Sequence, residues 1–264
     1  MALYLNLIRL ACVGLGCGLL MSACSYDELP EADYPQQLLY QPTARNGVYT
    51  INSLPPATGT YRFSVNLAEK KLIVPLSVFR GGVSTAGDVA VTVSANADTV
   101  ARLISTNVLP GTVPLPVERF VLPNSLNLGN GMEFAPFDLR IDLDYLRANP
   151  GQKLAVGVTI SSGQIPVNPA LKTTIVSLDP SILKPTPNFT SKADATTPRK
   201  IAFANTSANA LSYSWDFGDG SAAVTDASPT YTYAKAGTYT VTLTATGITG
   251  SQDATQKIMS VVVP

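Results

Sequence analysis

"YSWDFGDGSAAVTDASPTYTYAKAGTYTVTLTAT", residues 213–246, decides the fold. Within it, Tyr239, Val241 and Leu243 alternate with Thr238, Thr240, Thr242 and Thr244. That period of two is the signature of a strand with one face buried. Gly218-Asp219-Gly220 suits a tight turn, because glycine reaches positive φ without steric cost. Trp215, the only tryptophan, offers a large ring to fill the centre of a small sandwich. The stretch therefore reads as strand, turn and long strand around an aromatic core.

The flanks extend the pattern. "PNFT" at 187–190 opens it, "IAFANTS" at 201–207 supplies another strand and "KIMSVVV" at 257–263 closes it. Together these resemble the polycystic-kidney-disease (PKD) domain, a β-sandwich of many extracellular proteins. The resemblance implies a PKD domain over 187–264 in which Trp215, Asp216, Phe217, Gly218, Asp219 and Gly220 form a structural motif. Tyr231 stands where many members carry histidine. Asp216 and Asp219, three apart in a loop, have the residue types of a calcium site or an acid/base pair. Aspartates in such turns ordinarily bond the local backbone, so the expectation is no metal.

Before this domain, "DPSILKPTPN" places Pro180, Pro185 and Pro187 in ten residues. An extended, stiff connection over 180–186 is expected.

Residues 37–179 alternate similarly. Tyr61, Phe63, Val65 and Leu67 form one period-2 run, Val89, Val91 and Val93 a second, and Leu139, Ile141 and Leu143 a third. Further strands are expected at 38–41, 118–122, 153–160 and 173–178. "KKLIVPLSVFR" contains Pro75, which cannot donate to a ladder, so an edge strand or a bulge is expected there. "DTVARLISTN" predicts two helical turns after an Asp98 cap, and "DYLRANPG" predicts one. The expected fold class is all-β, two tandem antiparallel β-sandwich domains, which the resemblances here and below imply to be immunoglobulin-like.

"LPVERFVLPNSLNLGNGMEFAPFDLRIDLDYLRANPGQKLAVGVTI", residues 115–160, resembles an uncharacterised immunoglobulin-like domain found at the N terminus of Bacteroidetes surface lipoproteins. That family accompanies glycan-binding, glycosidase and adhesin-like modules, so the resemblance implies context and not mechanism. Asp142 and Asp144 are expected as neighbours on one strand face, with Asp138 nearby and no catalytic role for any of them. Asp98-Thr99-Val100 resembles the tripeptide at which exported Bacteroidetes proteins are O-glycosylated, which implies Thr99 as the modified residue. The glycosylation patterns at Asn188 and Asn205 carry little meaning in that setting.

The N terminus supplies that setting. Arg9 is followed by an apolar run, Leu10 to Leu20, which is glycine-broken and shorter than the ~20 residues a membrane span requires. Leu20-Met21-Ser22-Ala23-Cys24 resembles a bacterial lipobox, in which the thiol is acylated and the chain cut before it. This implies a signal peptide over 1–23, lipid on Cys24 and a flexible tether over 24–36. Ser25-Tyr26-Asp27-Glu28 resembles the acidic signal that carries such lipoproteins outward, which gives Asp27 and Glu28 an export role. The implied location is the outer membrane, facing outward. Cys12 and Cys17 would leave with the signal peptide, so no internal disulfide is expected.

Composition bounds the chemistry. There are 18 basic and 18 acidic residues and no histidine. A neutral chain is not steered toward nucleic acid, and the commonest general base and transition-metal ligand is missing. No cofactor and no catalytic residue is expected, and a chain ending at Pro264 leaves no room for a catalytic domain. The expected function is a non-catalytic surface lipoprotein that binds polysaccharide or another envelope protein. The alternative is a structural spacer or subunit of an adhesive assembly. Tyr49, Phe134 and Tyr145 are each open to two readings, binding platform or core, and core is the commoner fate of sheet aromatics.

Overall fold

The structure is a computed structural model and describes residues 36–54 and 62–264. Cys24, Asp27 and Glu28 lie outside the described residues, as does Tyr61. The N-terminal sandwich contains β1 (Leu38–Tyr40), β2 (Val48–Ile51), β3 (Ser64–Asn66), β4 (Lys71–Gly81), β5 (Val89–Ala95), helix α1 (Ala97–Ser105) and β6 (Thr112–Pro114). It continues with β7 (Phe120–Val121), β8 (Ser125–Leu128), β9 (Phe134–Asp142), helix α2 (Leu143–Ala148), β10 (Lys153–Ser161) and β11 (Thr173–Leu178).

One sheet has the order β1-β4-β9-β7 with β3 also on β4, and the other β2-β11-β10-β5-β8 with β6 also on β10. Pairing is antiparallel except for β2 on β11 and β6 on β10, which are parallel. The inner faces share one core, in which Leu72, Val74, Val78 and Leu139 of the first sheet meet Val91, Val156, Val158 and Val176 of the second. Leu154 to Val158 are all buried, because Val100 of α1 and Leu109 cover the outer face of β10 and β11 at Ala155 and Ile175. A strand covered on both faces reads as an unbroken apolar run.

Three local expectations are corrected. The strand with Pro75 is interior, paired along its length with β9. Its other side is open at Pro75, between β3 on residues 71–73 and β1 on residues 79–81, so the missing N–H breaks no ladder. The cap of α1 is Asn96, whose Oδ1 accepts from Thr99 N at 2.9 Å, while Asp98 sits exposed in the first turn. Asp142 and Asp144 do not share a strand face. Asp142 ends β9 and caps α2 by accepting from Tyr145 N at 3.0 Å, and Asp144 lies in the helix.

The C-terminal sandwich contains β12 (Phe189–Ala193), β13 (Lys200–Asn205), β14 (Ser212–Asp216), β15 (Thr230–Thr232), β16 (Gly237–Gly247) and β17 (Gly250–Val263). The sheets β12-β13-β15 and β14-β16-β17 enclose Phe189, Phe203, Trp215, Phe217, Tyr233, Val241 and Leu243. The threonines of β16 face away from this core, so the alternation read in the sequence fixes which face is inside.

Between the sandwiches, Pro180–Leu183 forms a 3-10 turn instead of extended chain. Asp179 caps it by accepting from Ser181 N at 3.0 Å, and Ile182 and Leu183 are buried in the first core. Ile248, in the β16–β17 turn, packs against that same core. Thr249 Oγ1 donates to the Leu183 carbonyl at 3.2 Å and Thr255 Oγ1 to the Pro185 carbonyl at 2.6 Å. The joint is thus packed and hydrogen-bonded on several sides.

Candidate functional site

The motif loop after β14 is assembled by local bonds. Trp215 is fully buried, meets Phe189 edge-on at 5.0 Å between ring centres and donates from Nε1 to the Asp226 carbonyl at 2.9 Å. Asp216 Oδ1 accepts from Gly218 N at 2.9 Å, and Asp219 Oδ1 from Ser221 N at 3.1 Å. Asp219 Oδ2 accepts from the Tyr231 hydroxyl at 2.7 Å. The Tyr231 bond, then those from Ser221, hold the Asp219 carboxyl below the usual carboxylate range. Phe217 stacks on Tyr231 at 4.0 Å, and Tyr233 donates to the Phe217 carbonyl at 3.2 Å. Burial pushes the Tyr233 hydroxyl far up. Gly218, at φ 74°, is doubly constrained, since a Cβ there would collide with the Thr240 carbonyl. Both aspartates are thus occupied in shaping the turn.

The other carboxylates also have neighbours. Asp142 lies 3.8 Å from Arg119, and Asp144 lies 2.8 Å from Lys70 and 3.5 Å from Arg147. The Lys70 hydrogen bond lowers the Asp144 pKa. Asp138 is exposed on β9, and Thr99 is half-buried in the first turn of α1. Among the described residues no three His, Cys, Asp or Glu side chains come together in a way that could hold a metal ion.

The aromatics separate into two kinds. Tyr49 and Tyr145 are half-buried against the first core, with the Arg119 guanidinium 5.2 Å from the Tyr145 ring centre. Phe134 is 47% exposed. The register pairs Tyr40 with Phe79 and Phe79 with Phe134, so three rings from β1, β4 and β9 stand side by side on the outer face of the first sheet. Tyr40 lies 5.9 Å from Phe79, and Phe79 stacks on Phe134 at 5.1 Å with only 16° between the ring planes. Arg45, in the 3-10 turn after β1, sets its guanidinium 5.5 Å from the Tyr40 ring centre. On the side of β9 away from β4, β7 pairs only at residues 140–141, so among the described residues no strand lies beyond Phe134 there. The column therefore has a cation at one end and an exposed ring at the other.

Residues 182–263 match the model of the PKD domain family. The PKD1 domain of the Vibrio cholerae metalloprotease PrtV is similar at 37% identity over 30% of this chain and 96% of that one, with a TM-score of 0.27. A multidomain protein including DUF1735 from Bacteroides ovatus is 13% identical over 80% of this chain and 95% of its own, with a TM-score of 0.36. An auxiliary nutrient binding protein from Bacteroides thetaiotaomicron VPI-5482 is 14% identical over 83% of this chain and 71% of its own, with a TM-score of 0.38. No curated protein sequence matches this chain.

Proposed function

We propose that residues 182–263, which match the PKD domain model, carry and brace the N-terminal sandwich of a non-catalytic, surface-exposed lipoprotein that binds glycan through the Tyr40, Phe79 and Phe134 column. The column is the observation that carries this reading. Phe134 is exposed beside the half-buried Phe79 and Tyr40, and contiguous apolar surface of this kind marks binding sites more often than isolated side chains do. A sugar ring presents C–H groups on one face that pack against an aromatic face, and its hydroxyls remain in water.

The non-catalytic part is supported by the motif aspartates, whose oxygens accept local bonds and so are not poised for acid/base work. Lipid on Cys24 would anchor the chain in the outer membrane, and Asp27 and Glu28 would send it outward on the tether. The test is affinity electrophoresis of soluble residues 25–264 through gels containing different polysaccharides, with product analysis of each mixture. Retardation by at least one polysaccharide without hydrolysis fits the proposal, whereas turnover would defeat the non-catalytic reading.

A second reading, a spacer or assembly subunit, is favoured by the joint. Arg147 on α2 bonds Asp253 and Gln252 on β17, which gives the pair of sandwiches the mechanical character a spacer needs. A blank polysaccharide panel with self-association into polymers would select it.

A further inference from the structure

The ring column has two different ends, and that asymmetry specifies the ligand further. Phe79 stands between Tyr40 and Phe134 and is half-buried, so a ring lying between two others offers solvent chiefly its C–H edge. Aromatic edges are the positive part of the ring quadrupole, and faces are the negative part. Tyr40 is enclosed similarly, between Phe79 and the Arg45 guanidinium. Phe134 is the exposed ring of the three.

Arg45 is exposed, and among the described residues no carboxylate lies within ion-pair distance of it. Of the nearby carboxylates, Glu133 is exposed directly before Phe134, and Asp138 lies four residues along β9, opposite Pro75, to the side of the column and not in it. A ligand crossing the column thus meets an exposed ring, then two positive ring edges, then an unpaired guanidinium. The Phe134 end, with its ring and the neighbouring Glu133, suits an uncharged sugar, and the Arg45 end attracts a negative charge.

Resting on the column as the binding surface, we propose that the ligand is an acidic oligosaccharide, with one sugar stacked on Phe134 and the carboxylate of a uronic acid further along the chain paired with Arg45. The two contacts are separated by the width of the column, so a single sugar cannot make both. A planar guanidinium takes a carboxylate through two parallel hydrogen bonds, which lysine cannot reproduce.

The experiment compares polygalacturonate with the same polymer fully methyl-esterified, which keeps the backbone and removes the charge. Soluble residues 25–264 should bind the free acid about tenfold more tightly than the ester, the scale of one charge-assisted contact, with the preference shrinking at high salt. Arg45→Gln should bring the two polymers to similar affinity, Arg45→Lys should restore part of the preference, and Phe134→Ala should weaken both. Equal binding of acid and ester by the wild type, or a preference that survives Arg45→Gln, overturns the acidic specificity and leaves the column as a neutral-glycan surface. Loss of all binding to neutral and acidic polymers alike overturns the column reading itself. Both residues are exposed, so near-ultraviolet circular dichroism should show each variant folded.

Discussion

Arg147 Nε donates to Asp253 Oδ2 at 2.9 Å, joining a helix of one sandwich to the last strand of the other. Its Nη2 also donates to Gln252 at 2.9 Å, and the two ionic side chains are only 16% and 21% exposed. A pair this sheltered lies between the exposed and buried regimes, so Arg147→Ala should cost about 1 to 3 kcal/mol. The wild type should unfold calorimetrically in one transition. The variant should show two, with protease cutting near Lys184 before either sandwich melts. A single unsplit transition in Arg147→Ala would mean that Ile182, Leu183 and Ile248 hold the joint unaided.

Trp215→Ala should destabilise the C-terminal sandwich by ~3 to 5 kcal/mol, since it empties the centre of the aromatic core and leaves the Asp226 carbonyl without its donor. The check is the denaturation midpoint followed by tyrosine fluorescence. An unshifted midpoint would contradict the core role.

Gly218 and Gly220 make a paired test. Both have positive φ, but a Cβ on Gly220 meets nothing within 4 Å, whereas one on Gly218 runs into Thr240. Gly220→Ala should cost about 1 to 2 kcal/mol, the strain of a left-handed alanine. Gly218→Ala should cost clearly more, because a β16 carbonyl must move. Equal effects would mean that the turn relaxes away from the strand.

The acid limb of stability comes partly from Asp194. Its carboxyl accepts from the Thr196 hydroxyl and from the Thr196 and Thr197 amides, bonds that hold its pKa well down. Asp219 is lowered too, first by Tyr231. A depressed folded pKa gives stability that is present above the unfolded carboxylate value, about 4, and is lost as pH falls through the folded value. The melting temperature should therefore stay level on acidification to about pH 4 and fall below it. Asp194→Asn should make that fall shallower, and an unchanged slope would contradict the assignment.

For the anchor, Cys24→Ala should abolish labelling by a fatty-acid analogue and release the protein from membranes. Asp27→Ala with Glu28→Ala should keep the lipid and reduce protease accessibility on intact cells. An unlabelled wild type would end the lipoprotein reading.

The sequence makes some of this visible for identifiable reasons. The alternation in β16 marks its buried face because one side of that sheet is open to water, and Thr173–Leu178 is bounded as expected, being buried on both faces around Ile175, Val176 and Leu178. The α1 cap is misplaced because Asn96 and Asp98 are both good caps and only the backbone decides between them. The four-residue β2 and β8 are too short to show a period, and of the strand expected at 118–122 only Phe120–Val121 is extended. The column is hidden for a different reason: Tyr40, Phe79 and Phe134 lie on three strands far apart in the chain, and only register brings them together. One signal was available. "KKLIVPLSVFR" is apolar on both faces, which puts Ile73 and Phe79 on the outer side of the first sheet.

The measurement that bears most directly on the central claim is retention of Phe134→Ala against wild type on the polysaccharide that the wild type binds best, with melting temperature recorded for both. Removing the exposed ring should cost about 1 to 3 kcal/mol of binding, the scale of a single aromatic stacking contact, with little change in melting temperature because the ring is half in water. Full retention by a folded Phe134→Ala protein would contradict the claim that this column is where the protein binds.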